Sequence, residues 1–97
     1  RDYIHVDDLV DGIIKSISKI QGKKGEVYNL ASGKSISVKD LAELMVSVSK
    51  KDLDLHYTDP RDGDLLHSAA SIKLAKDELE FQPKISLEKG LSNLINQ

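Results

Sequence analysis

The chain has 97 residues, with 14 basic and 16 acidic side chains and a formal net charge of -2 at pH 7. The two signs are interspersed, so there is no basic footprint for nucleic acid or for an anionic membrane, and the absence of cysteine excludes a disulfide scaffold, a thiolate zinc site and a thiol nucleophile. No apolar run approaches the roughly 20 residues that span a bilayer, and the length fits one small domain of marginal stability.

Taken in chain order, Tyr3-Ile4-His5-Val6 is β-branched and aromatic and predicts a short strand. It hands over to a helix at Asp7 and Asp8, carboxylates suited to capping a helix and facing its positive end. Leu9, Val10, Ile13, Ile14, Ile17 and Ile20 then fall on one helical face, while Lys15 and Lys19 sit late, where cations suit the dipole. Residues 21–25 read as a turn, and Val27-Tyr28-Asn29-Leu30 as a buried strand before the Ser32-Gly33-Lys34 loop. Ser37-Val38-Lys39-Asp40 has the form of a capping box, and Val38, Leu41, Ala42, Met45 and Val48 continue it as an amphipathic helix.

Leu53, Leu55 and Tyr57 alternate with Asp54, His56 and Thr58, which predicts a third, half-buried strand ending at the Asp59-Pro60-Arg61-Asp62-Gly63-Asp64 loop. Ile72, Ala75 and Leu79 form a short apolar stripe that Pro83 terminates. Ser86 caps a last helix with Leu87, Leu91, Leu94 and Ile95 on its buried face. The expectation is an α/β fragment of about four helices and three short strands. Such alternation needs more strands for a covered sheet, so the strand at residues 27–31 should be an edge or unpaired, and several apolar helix faces should await a larger partner. The opening at Arg1, inside an apparent strand, and a single methionine, Met45, read as an excised piece.

The chemistry-bearing residues point to binding. The six glycines are scattered at positions 12, 22, 25, 33, 63 and 90, so no glycine-rich dinucleotide cradle is present. None of Tyr3, Tyr28 and Tyr57 has a lysine four positions later, and His5, His56 and His67 lack metal-ligand spacing. Helix capping accounts for Asp7 and Asp8 better than a catalytic acid pair does. Arg1 and Arg61 each sit at an element boundary, and a guanidinium offers a planar fork that matches phosphate oxygens two at a time. Asp64, just after Gly63, is an acceptor suited to ribose hydroxyls, and Tyr3 could add a ring face or a phenol. Singly, a loop arginine is more often a solvated charge and Asp64 a turn residue.

Four blocks in register carry a resemblance. Arg1-Asp2-Tyr3-Ile4-His5-Val6-Asp7-Asp8-Leu9, Val27-Tyr28-Asn29-Leu30-Ala31-Ser32-Gly33, Pro60-Arg61-Asp62-Gly63-Asp64 and Pro83-Lys84-Ile85-Ser86-Leu87-Glu88-Lys89-Gly90-Leu91 resemble the C-terminal part of the extended short-chain dehydrogenase/reductases of the NAD-dependent epimerase/dehydratase family, most like the UDP-glucose 4-epimerases. The resemblance implies a Rossmann-type parent, with residues 1–50 packing on the edge of its N-terminal NAD domain and residues 51–97 in the substrate domain. It implies that Arg1 and Arg61 bind the diphosphate of a UDP-sugar or related nucleotide sugar, Asp64 its ribose, and that Tyr3 lines the nucleotide pocket. The implied reaction is transient oxidation: a tyrosine takes the sugar hydroxyl proton, hydride passes to NAD, and the keto sugar turns before hydride returns. The catalytic groups and the NAD site would lie outside this chain, in a cytoplasmic parent that could be a homodimer, although the sequence does not give its oligomeric state. Glu80 stands where such enzymes commonly have glycine. A dehydratase or reductase of the same superfamily is the near alternative, and a stand-alone protein-interaction module the distant one.

Overall fold

Local capping decides where the helices begin and end. In the computed structural model, which describes residues 1–19, 25–59 and 68–96, four helices form among the described residues: α1 (Val6–Lys19), α2 (Val38–Ser49), α3 (Lys73–Leu79) and α4 (Leu87–Ile95). Ser37 accepts the Asp40 backbone N–H at 3.0 Å and Ser86 accepts that of Lys89 at 3.1 Å, so both expected serine caps are in place. At α1 the capping expectation is corrected. The His5 carbonyl accepts the Leu9 N–H and His5 Nδ1 accepts the Asp7 N–H, each at 3.0 Å, so an imidazole caps the first turn. Asp7 and Asp8 keep their place at the positive end of the helix. Helix α3 stops at Glu80, whose φ of 57° is left-handed; the N–H groups of Glu80 and Phe81 converge on the Ala75 carbonyl.

The helices pack in two pairs, α1 on α3 and α2 on α4. Ile72, Ala75, Leu79 and Phe81 form the buried core, with Ile4, Tyr28, Leu30 and Ala31 packed against it. Hiding a side chain the size of Leu79 or Phe81 contributes about 1.5–3 kcal/mol, and both are fully buried. Helix α1 approaches this core through its small and polar side. A Cβ on Gly12 would lie 2.9 Å from Phe81 Cε1 and 3.0 Å from both Leu30 methyls, so only glycine permits the observed separation. Lys15 Nζ donates to the Glu80 carbonyl at 3.3 Å, and Lys19 pairs with the Glu80 carboxylate at 2.8 Å. The late lysines of α1 thus serve the C-terminal end of α3.

The apolar stripe of α1 faces away from the core. Val6, Val10, Ile13, Ile14 and Ile17 are all exposed, Ile17 at 68%. The accessible surface of 7766 Å² exceeds the roughly 5,500 Å² expected of a folded monomer of this mass. The radius of gyration of 16.3 Å exceeds the roughly 13 Å of a compact 100-residue domain. On α4 the expected buried face is only half realised: Leu87 and Leu91 are partly covered and Gly90 is buried, while Leu94 is 62% exposed and Ile95 is exposed.

The three expected strands are not formed among the described residues, which contain no β-ladder. The alternation at residues 27–30 is nonetheless real, since Tyr28 and Leu30 turn toward the core and Val27 and Asn29 do not. Tyr28 and Asn29 spend their polar groups on Glu78 and the Ser71 carbonyl. A strand is defined by a neighbour that takes its N–H and C=O groups, and among the described residues no backbone hydrogen bonds join these segments to one another. Of the third segment's expected apolar face, Leu53 and Tyr57 are exposed and only Leu55 is half-buried. Most of the expected turn at 21–25 and of the loop at 59–64 lies outside the described residues.

Candidate functional site

The candidate residues nearest the start of the chain sit on a pinned segment. Arg1 and Ile36 exchange backbone hydrogen bonds, Arg1 N to the Ile36 carbonyl at 2.9 Å and Ile36 N to the Arg1 carbonyl at 2.8 Å. Beside this rung, the Asp2 carboxylate gathers three donors from the next loop. Its Oδ1 accepts from Ser32 N at 2.8 Å and Ser32 Oγ at 2.6 Å, and its Oδ2 accepts from Gly33 N at 2.9 Å. Gly33 has a φ of 82°, a left-handed conformation that glycine adopts without steric cost and that aims its N–H at Asp2.

Tyr3 follows directly, 38% exposed, and borders two cavities. One, of about 230 Å³, is apolar, between Tyr3-Ile4-His5 and the facing sides of α2 and α4, with Leu41, Met45, Leu87 and Leu91 in its walls. The other, of about 390 Å³, is mixed: Ser32, Lys34, Ser35, Lys84 and Ser86 line it together with the apolar Ile36, Leu44, Pro83, Ile85 and Leu87. Its two walls belong to loops far apart in sequence, each held by a carboxylate. Asp2 fixes the Ser32 side, and Asp8 accepts the backbone N–H of Lys84 at 3.1 Å and of Ile85 at 2.9 Å. Hydroxyls and ammonium groups at one rim suit a polar, anionic ligand, while the apolar cavity suits a ring or an apolar side chain.

Of the four candidate site residues, the structure joins Arg1 and Tyr3 in this segment; Arg61 and Asp64 lie outside the described residues. His5 is occupied as a helix cap, His56 is exposed, and His67 lies outside the described residues. Among the described residues no group of three or more His, Asp or Glu is placed to hold a metal ion. Glu80 carries a shifted acidity: the hydrogen bond from Lys19, reinforced by the Lys19 charge and more weakly by Lys15, holds its carboxyl below the usual range.

Asp2 and Asp8 are the residues that reasoning from local pattern missed. Asp8 was fully accounted for by capping, yet it is 6% exposed and reaches across the fold to the start of α4. For Asp2 there was a signal. A carboxylate next to an arginine assigned to phosphate works against anion binding unless other donors occupy it, and the Ser32-Gly33 loop supplies them.

No family model matches the chain. It is 37% identical over 90 residues to the UDP-glucose 4-epimerase of Bacillus subtilis, covering 92% of this chain and 26% of that protein. It is 34% identical over 99 residues to the UDP-glucose 4-epimerase of Caenorhabditis elegans, covering 99% of this chain and 28% of that protein. The crystal structure of UDP-glucose 4-epimerase from Thermotoga maritima with UDP-glucose superposes with a TM-score of 0.89 at 33% identity, over 99% of this chain and 30% of that one. The chain is similar over nearly its whole length to the UDP-glucose 4-epimerases. It spans about a quarter to a third of the length of these epimerases. The Bordetella bronchiseptica enzyme WbmF, solved in complex with NAD+ and UDP, is also similar, at a TM-score of 0.78 and 33% identity over 99% of this chain and 27% of that one.

Proposed function

We propose that this chain is the nucleotide-sugar-binding, C-terminal portion of an NAD-dependent epimerase of the UDP-glucose 4-epimerase type. In this reading Arg1 and Arg61 straddle the substrate's diphosphate, Asp64 takes its ribose hydroxyls, and Tyr3 lines the nucleotide pocket. Residues 1–50 pack on the edge of the Rossmann domain that precedes them in the parent, and residues 51–97 belong to the substrate domain. The observation that carries the reading is the close likeness to an epimerase solved with UDP-glucose. The exposed stripe on α1 and the surplus of accessible surface support a large neighbour for residues 1–50.

The residues present do not fit NAD. Gly12 and Gly90 are buried inside helices, and the Gly33 N–H is taken by Asp2, so among the described residues no glycine-rich turn offers open N–H groups to a pyrophosphate. The cofactor is therefore assigned to the rest of the parent, as NAD+ accompanies UDP in WbmF.

Titration of the isotope-labelled chain with UDP, followed by NMR, tests the grip, with inorganic phosphate and Arg61→Ala as controls. Shifts at Tyr3, Arg61 and Asp64 that exceed those from phosphate and vanish in Arg61→Ala are expected. A dispersed spectrum unmoved by UDP, both alone and with the N-terminal portion of the parent added, would favour a protein-interaction module.

A further inference from the structure

We infer that Asp2 is the positioning residue for nucleotide binding, a role that rests on the assignment of Arg1 and Tyr3 to the substrate. Asp2 contacts no proposed ligand group. Its carboxylate faces the 32–33 loop and accepts two backbone N–H groups and one hydroxyl, all within 2.9 Å. Three short bonds to an ionised acceptor fix a carboxylate in place and direction. Arg1 and Tyr3 are its covalent neighbours, one planar peptide unit away on either side, so fixing Asp2 removes much of their backbone freedom.

The loop that Asp2 grips is itself braced. Arg1 and Ile36 exchange their two backbone bonds, and Ser32 Oγ also accepts the Lys34 N–H at 3.1 Å. The loop meets the core at Gly33, which is itself exposed but whose hypothetical Cβ would stand 3.0 Å from Ile72 Cδ1. Position is thus transmitted from the core, through Gly33 and Ser32, to Asp2 and then to the two residues that flank it. Held in this way, Arg1 and Tyr3 lose little conformational freedom when ligand arrives, and preorganisation of this kind appears as affinity.

The test uses the full-length polypeptide that carries this segment, with UDP and NAD+ affinities measured by calorimetry and KM separated from kcat with UDP-glucose. Asp2→Ala should weaken UDP by about tenfold, a change of about 1.4 kcal/mol, and raise KM more than it lowers kcat while NAD+ affinity holds. Asp2→Asn keeps an acceptor for Ser32 but loses the charge and the Gly33 bond, and should fall between wild type and alanine. Ser32→Ala, which removes the 2.6 Å contact to Asp2 and the hydroxyl's bonds to Lys34 but leaves both backbone N–H bonds to Asp2 in place, should weaken UDP by about two- to threefold and carries the test if Asp2→Ala does not fold. Equal losses of UDP and NAD+ affinity, or UDP affinity unchanged in both Asp2→Asn and Ser32→Ala, would overturn the inference. Arg1→Ala and Tyr3→Ala separate it from the reading beneath: if neither weakens UDP, the assignment of the grip itself is wrong.

Discussion

The buried carboxylate of Asp8 accepts the backbone N–H of Ile85 at 2.9 Å, joining the first turn of α1 to the entrance of α4 across 77 positions of sequence. Asp8 also takes the Lys84 N–H, so Asp8→Ala strands two donors and opens a polar void. A loss of about 2–4 kcal/mol is expected, measured as a lower urea midpoint. Asp8→Asn, which retains one acceptor, should recover part of it.

Gly12 is where α1 touches Phe81 and Leu30. Alanine would improve helix propensity by about 1 kcal/mol but must displace a fully buried ring and two methyls, an overpacking cost of about 1–3 kcal/mol. The net expectation for Gly12→Ala is destabilisation of about 0–2 kcal/mol, with Phe81→Ala costing about 3–5 kcal/mol. Thermal unfolding of both variants checks this order.

Glu80 combines a left-handed backbone with an ion pair to Lys19. Glu80→Gly should raise Tm, since glycine adopts this conformation without steric cost, whereas Glu80→Gln keeps the strained backbone, loses the ion pair and should not. The folded-state acidity of Glu80 is lowered. Its contribution is therefore present above the unfolded carboxylate range and is lost as pH falls through the lower folded value. The pair is exposed and the effect small, and salt should erase it. Carboxyl NMR titration should show the Glu80 midpoint rising in Lys19→Ala.

The exposed stripe of α1 separates stability within this chain from stability of a larger assembly. Ile14→Glu and Ile17→Glu should change the unfolding free energy of the isolated chain by no more than about 0.5 kcal/mol, because neither side chain reaches the core. Both should reduce self-association, read by sedimentation. If the full-length parent covers this face, the same substitutions should lower its Tm sharply.

The helices were legible because their signals are local. Ser37 and Ser86 act within three residues of their targets, and the spacing of Val10, Ile13, Ile14 and Ile17 marks one face of α1 whatever lies opposite. Periodicity does not say which side a given chain covers, and here the covered side is Asp8 and Gly12. The strands failed for a related reason. Tyr28 and Leu30 alternate with Val27 and Asn29 as a strand face requires, but pairing belongs to two segments and no window of one segment contains it. Of the candidate site, Arg1 and Tyr3 are legible as single residues, while the hydrogen bonds that hold Asp2 between them come from a loop 30 residues away. The buried reach of Asp8 was hidden behind an adequate local explanation, and the imidazole cap of His5 behind the carboxylates that follow it.

The clamp made by Asp8 also sets an order of events. On the ribosome, α1 emerges with a carboxylate destined for the interior long before Lys84 and Ile85 exist to receive it, and the first core residue, Ile72, is itself far downstream. Until Lys84 and Ile85 clear the exit tunnel, the Asp8 carboxylate remains hydrated. A product stopped short of residue 84 therefore lacks the closing contact and presents itself to proteases and chaperones as an open chain.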